Sequence, residues 1–108
     1  MLLEGGAAVD LAINHGATPL HVACCAGHEQ IVRLLLARGA TLDLARQDGG
    51  TPLHLACQDG HVKIARLLLE GGAGVDPALQ DGTTPLHLAC QEGHEQIARL
   101  LLARAQRR

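Results

Sequence analysis

The chain has 108 residues, with nine Lys and Arg against eleven Asp and Glu, a formal charge of −2. That balance leaves no electrostatic footprint for nucleic acid or for an anionic membrane surface. The absence of Phe, Tyr and Trp excludes base stacking on aromatic rings, and the absence of serine removes serine nucleophiles. The length corresponds to one domain. Apolar runs are only a few residues long, too short to cross a bilayer. Met1-Leu2-Leu3 runs directly into Glu4-Gly5-Gly6, so no secretory signal is expected.

In chain order, residues 2–10, LLEGGAAVD, align with residues 68–76, LLEGGAGVD. The chain is therefore expected to begin inside a repeat, with residues 1–12 as its tail. Thr18 then opens TPLHVACCAGHEQIVRLLL, Thr51 opens TPLHLACQDGHVKIARLLL, and Thr84 opens TPLHLACQEGHEQIARLLL, spaced by 33 residues. A fixed period of this size predicts units that bury their apolar faces only by stacking on one another. Full units are expected at 13–45, 46–78 and 79–108.

Each copy predicts two short helices. Thr51 suits an N-cap, because its hydroxyl can accept from a first-turn amide, and Pro52 follows where its missing N–H is harmless. The first helix is expected over Pro52–Asp59, stopped by Gly60 in a left-handed conformation. The second is expected from His61 to Leu69, with Ile64, Leu67 and Leu68 on one stripe, ended by Gly71-Gly72. Isolated helices of this length are unstable in water, so stacking must hold them. Gly16, Gly49 and Gly82 occupy turn slots that call for positive φ. Pro77 sits in such a turn and should only stiffen it. Ala105 stands where the other copies have Gly39 and Gly72.

Gly-x-Thr-Pro-Leu-His, then Ala, Gly-His, Ile and Leu-Leu-Leu at these spacings resemble the ankyrin repeat, over nearly the whole chain. The resemblance implies an all-α solenoid of stacked helix-turn-helix units with β-turn hairpin tips. It implies a non-enzymatic protein–protein interaction module that grips a partner with the hairpin tips and the exposed ends of the first helices. Matched position by position, that concave face comprises Asn14, His15, Ala17, Cys25 and Ala26 in the first unit. In the second it comprises Arg46, Gln47, Asp48, Gly50, Gln58 and Asp59; in the third, Leu79, Gln80, Asp81, Thr83, Gln91 and Glu92. These positions vary between copies while the frame around them does not. Ile13, Arg46 and Leu79 stand where the family favours a polar or acidic residue.

Seven histidines and four cysteines raise a metal hypothesis. His54 and Cys57 lie at i, i+3, but zinc needs three or four ligands within about 2.0–2.3 Å. The next such pair is one unit away, roughly 8–10 Å if neighbouring helices pack normally. The family pattern makes these histidines structural hydrogen-bonders, and no metal, cofactor or catalytic residue is expected. Cys24, Cys57 and Cys90 should form a buried ladder too widely spaced for disulfides, consistent with a reducing intracellular compartment, cytoplasmic or nuclear. Cys25 falls in an exposed slot held elsewhere by Gln58 and Gln91. Glu29–Arg33 and Glu95–Arg99 are favourable i, i+4 pairs on the second helices.

Asp48, Asp59, Asp81 and Glu92 lie on the expected partner face with only Arg46 against them, which predicts a partner with a basic contact surface. No nucleic-acid or membrane partner is expected. The alternative to a binding module is an engineered or excised repeat scaffold with no dedicated ligand, favoured by the absence of the Trp and Tyr that anchor high-affinity interfaces. Neither end reads as a polar terminal unit. Leu20 and Ile31 at one end, and Leu86 and Ile97 at the other, are therefore expected to be exposed and to drive end-to-end self-association.

Overall fold

A computed structural model of the chain describes residues 8–105; the tail expected at 1–12 therefore lies mostly outside the described residues. The described residues form six α-helices and no strand: α1 Pro19–Ala26, α2 Glu29–Ala37, α3 Pro52–Asp59, α4 Val62–Glu70, α5 Pro85–Glu92 and α6 Glu95–Ala105, with 3-10 turns at Ala8–Asp10 and Asn14–Gly16. The helices pair as α1–α2, α3–α4 and α5–α6. The pairs stack so that α1, α3 and α5 make one row and α2, α4 and α6 the other, with the first row in more extensive mutual contact.

Local chemistry starts each first helix in the same way. Thr18, Thr51 and Thr84 are N-caps in extended conformation, each followed by proline, and each accepts from the amide of the histidine three residues on. The histidine reciprocates: Nδ1 of His21, His54 and His87 accepts from the threonine amide at 3.0 Å. Two first-turn donors are thereby satisfied by one pair of side chains. Gly27, Gly60 and Gly93 close these helices with φ of 80°, 77° and 76°. The second helices of the first two pairs end at Ala37 and Glu70, followed by Gly39 and Gly72 with φ of 88° and 101°. Ala105 replaces that glycine in the third copy, and α6 runs on to include it. Without a residue suited to a left-handed stop, the helix continues.

The core is a continuous apolar seam. Leu20, Leu53, Ala56, Cys24, Cys57, Val32, Ala65, Leu68, Ile97 and Leu101 are all nearly inaccessible. No buried side-chain polar atom among the described residues lacks a hydrogen bond. The exposure expected at the two ends is corrected here. Leu20 and Ile97 are buried, and Leu86 is half-buried; of the four residues expected to be exposed, only Ile31 is. The exposed large apolar side chains on the helices are instead Val22, Ile31 and Leu34 on the first pair and Leu102 on the last. Translation along the stack aligns equivalent residues but does not say which neighbour covers each. Leu55 and Leu88 are buried, whereas Val22, in the same row of the first pair, is open. The cysteine ladder is corrected for the same reason: Cys24 and Cys57 are buried, while Cys90 is exposed, because no further pair packs on α5 among the described residues.

Candidate functional site

The loops between pairs are built as narrow hairpin tips. At each, a backbone bond closes the hairpin: Ile13 N–H to the Ala17 carbonyl, Arg46 N–H to Gly50 and Leu79 N–H to Thr83, each at 2.8 Å. Gly16, Gly49 and Gly82 turn the chain with φ of 83°, 90° and 92°. Asp48 and Asp81 stiffen two of the tips by accepting from the Gly50 amide at 2.8 Å and the Thr83 amide at 3.0 Å. The Gly50 amide holds the Asp48 carboxyl below the usual carboxylate range, and the Thr83 hydroxyl, followed by its amide, does the same for Asp81. His15 takes the place of these aspartates in the first tip, with φ of 66°, a left-handed conformation uncommon outside glycine.

The tips are joined to one another. Gln47 N–H donates to the His15 carbonyl at 2.8 Å, Gln80 N–H to the Asp48 carbonyl at 3.0 Å, and the Gln80 side-chain amide to the Gln47 carbonyl at 2.7 Å. A first histidine ladder runs beside them: His21 Nε2 donates to the Gly50 carbonyl at 2.9 Å and His54 Nε2 to the Thr83 carbonyl at 3.2 Å. The ring tautomer follows from the partners. A backbone N–H can only donate, so Nδ1 is the acceptor and Nε2 carries the proton. Burial depresses the basicity of His21 and His54, so the neutral ring is favoured. A second ladder runs the other way: His61 Nε2 reaches the Cys25 carbonyl at 3.3 Å and His94 Nε2 the Gln58 carbonyl at 3.2 Å. The tips and the C-terminal ends of the first helices are therefore fixed relative to each other by hydrogen bonds.

Of the residues expected to face a partner, Asn14, His15, Cys25, Ala26, Gln47, Asp48, Gln58, Asp59, Gln80, Asp81, Gln91 and Glu92 are exposed. Ala17, Arg46, Leu79 and Thr83 are half-buried. Gly50 is buried, and its carbonyl is taken by His21 and its amide by Asp48, so it offers no contact surface. A groove of about 530 Å³ runs along the tips, lined by Asn14, His15, Ala17, Arg46, Gln47, Asp48 and Gln80. Beside it a smaller hollow of about 300 Å³ opens between α1 and α3, lined by Ala17, His21, Val22, Cys25, Ala26, Arg46 and Leu55. Val22, His21 and Leu55 were not among the expected residues. Val22 is the smaller member of a row otherwise held by Leu55 and Leu88, which was the available signal, but its openness depends on the direction of stacking.

The charge of this face is more local than composition suggests. Arg46 bridges Asp48 at 3.0 Å and neutralises it. Asp59 accepts a long thiol bond from Cys25 at 3.6 Å, and burial followed by the Asp59 charge raises the Cys25 thiol above its usual value. Asp59, Asp81 and Glu92 make no ion pair among the described residues, so the acidic character concentrates on the second and third units. On the opposite row, Glu29–Arg33 and Glu95–Arg99 pair at 2.9 and 2.6 Å.

As for metal chemistry, His54 has Nδ1 engaged by Thr51 and Nε2 by Thr83, and Cys57 is fully buried. Among the described residues no three His, Cys, Asp or Glu side chains converge, and no helix is long and apolar enough to cross a membrane.

Comparison with known proteins agrees with this geometry. A family profile of ankyrin repeats in three copies matches residues 39–107, and a profile of the single ankyrin repeat matches residues 15–46. A search of curated proteins found no match. With capped helix pairs stacked in two rows, hairpin tips tied edge to edge and family profiles spanning most of its length, the chain belongs to the ankyrin-repeat family.

Proposed function

We propose that the chain is a non-enzymatic protein-binding module, organised as units 13–45, 46–78 and 79–108, which takes its partner on the face formed by the tips and the ends of α1, α3 and α5. The observation that carries this reading is the groove of about 530 Å³, whose lining residues all differ from the conserved frame of the copies. Its walls are held by backbone bonds and histidine ladders, so little ordering accompanies binding, and preorganisation of this kind favours affinity. The partner carries basic side chains opposite Asp59, Asp81 and Glu92 and a small apolar side chain opposite the Val22–Leu55 hollow. Charge complementarity of this sort acts chiefly on association rate and specificity and weakens with salt. Positioned groups suited to acid–base or nucleophilic chemistry are not part of this reading.

The test uses two charge-reversal pairs. Asp59→Lys with Glu92→Lys alters the tip face, and Lys63→Glu with Arg66→Glu alters the exposed face of α4. All four side chains are exposed, so stability should move by no more than about 0.5 kcal/mol each. A protein captured by the parent chain from lysate of its native cell should be lost with the first pair and retained with the second. Retention with the first pair and loss with the second would move the site to the second-helix row. Capture of no specific protein by the parent chain would favour the scaffold reading.

A further inference from the structure

The two histidine ladders tie the pairs together, but they take up a second proton in opposite ways. In the tip ladder both ring nitrogens of His21 and His54 are engaged. Nδ1 accepts from the Thr18 or Thr51 amide at 3.0 Å. Nε2 donates to the Gly50 carbonyl at 2.9 Å or to the Thr83 carbonyl at 3.2 Å. Both rings are 1% exposed, and with Thr18 and Thr51 they are the only buried polar side chains among the described residues. A proton added at Nδ1 meets an N–H donor. The threonine hydroxyl stands 2.9 Å from the same nitrogen and can turn to accept, but the buried threonine amide then keeps no acceptor, which is costly. The charged groups that act on both rings are Arg46 and Asp48 of the middle tip. They are bridged to each other at 3.0 Å and offset one another. The remaining polar groups facing the rings are backbone carbonyls, of Gly50 and Leu44 at His21 and of Thr83 and Pro77 at His54. The closed arrangement therefore has no place for the imidazolium.

The second ladder differs. His61 and His94 are half-buried, and each uses Nε2 alone, on the Cys25 carbonyl at 3.3 Å and the Gln58 carbonyl at 3.2 Å. Nδ1 makes no bond among the described residues, so a proton added there displaces nothing. The two carbonyls lie at the C-terminal ends of α1 and α3, where a cation is favoured and a charged donor makes the stronger hydrogen bond.

We propose that the fold carries an acid-operated release of its tips: a second proton on His21 and His54 opens the tip ladder, while the helix-end ladder and the apolar seam keep the pairs stacked. The rings leave their sites, the Thr18 and Thr51 caps open, and the second and third tips lose their tethers to α1 and α3. The hairpins themselves stay closed, because Asp48 and Asp81 hold the Gly50 and Thr83 amides and remain ionised below the ordinary carboxylate value of 3.8. A freed ring binds its proton at the ordinary imidazole value of 6.5. Opening therefore grows by up to about tenfold per pH unit for each ring on acidification below that value. For the partner-face reading the consequence is release of a partner in acid; the switch itself rests on the ladders and is measured on the free chain.

Amide hydrogen exchange and backbone relaxation, followed by NMR between pH 6.5 and pH 3.8, test it. Protection of the Thr18 and Thr51 amides, corrected for intrinsic exchange, should fall by up to about tenfold per pH unit. Fast motion at Asp48 and Asp81 should increase over the same range. The Ala65 and Leu68 amides of α4 and the far-UV circular dichroism should hold. His54→Gln, whose carboxamide does not titrate, should abolish the pH dependence at Thr51 and leave that at Thr18; His61→Gln should leave both. Equal loss at Thr18, Thr51, Ala65 and Leu68 overturns the proposal, because acid would then unfold the whole stack. Constant protection at Thr18 and Thr51 also overturns it, as does a pH dependence at Thr51 that survives His54→Gln. The parent-chain measurements decide the proposal even where His54→Gln does not fold.

Discussion

Gly27, Gly60 and Gly93 end equivalent helices with almost the same φ, yet their surroundings differ, so replacing each with alanine separates backbone strain from packing. A Cβ at Gly60 would lie 2.6 Å from His94 Cε1, and one at Gly27 would lie 2.7 Å from His61 Cε1; at Gly93 nothing stands within 4 Å. All three substitutions place an L-residue in the left-handed region, costing roughly 1–2 kcal/mol. At Gly60 and Gly27 the imidazole must also move, and its bond to the Gln58 or Cys25 carbonyl is lost, which adds about 1 kcal/mol. Gly60→Ala and Gly27→Ala should therefore exceed Gly93→Ala by about 1 kcal/mol, a Tm difference of roughly 4–8 °C for a domain of this size. With no aromatic residue to fluoresce, unfolding in urea is followed by far-UV circular dichroism. Gly60→Ala combined with His94→Ala removes the collision and should destabilise by less than the sum of the two single changes. Equal losses at all three glycines, or strict additivity of the double variant, would refute the claim that the histidine ladder rests on the missing Cβ.

Three further outcomes follow from the side-chain environments. Cys25 and Cys90 should react rapidly with a thiol reagent in the folded state, while Cys24 and Cys57, buried and with thiols pushed up to about 12, should react only through opening of the fold; a fast phase of one or three thiols would contradict this. His21 and His54 titrate below the ordinary imidazole value of 6.5 when folded, so the unfolded chain binds more protons as pH falls below that value. Their contribution is complete above it and is lost on acidification through the folded values, with a limiting slope of about 1.4 kcal/mol per pH unit for each proton. His54→Gln should reduce that slope measured by urea unfolding between neutral and mildly acidic pH, whatever it does to absolute stability, and an unchanged slope would assign the acid sensitivity elsewhere. Thr51→Val removes the cap hydroxyl that accepts from the His54 amide and should destabilise by about 1 kcal/mol, read by the same unfolding assay; no change would show that the histidine alone holds the first turn.

Much of this architecture is local, and local chemistry is legible in sequence. Thr-Pro starts and glycine stops placed α3 at Pro52–Asp59, where it is found, because caps and left-handed glycines act within one turn of the residues that carry them. The substitution of Ala105 for glycine marked where α6 would differ from α2 and α4. The 33-residue period required stacking, since no unit can bury its own stripe. Only the tertiary structure decided the direction of burial. Leu20 and Val22 are two residues apart on one helix, yet one is sealed in the seam and the other lies open on the hollow between α1 and α3. Cys57 and Cys90 sit in identical local sequence, Leu-Ala-Cys-Gln, yet Cys57 is buried under the following pair and Cys90 has no pair packed on it among the described residues. The histidines likewise announced a structural role, but their acceptors lie 29 and 36 residues away in the chain, and only the packed stack brings those carbonyls to the rings.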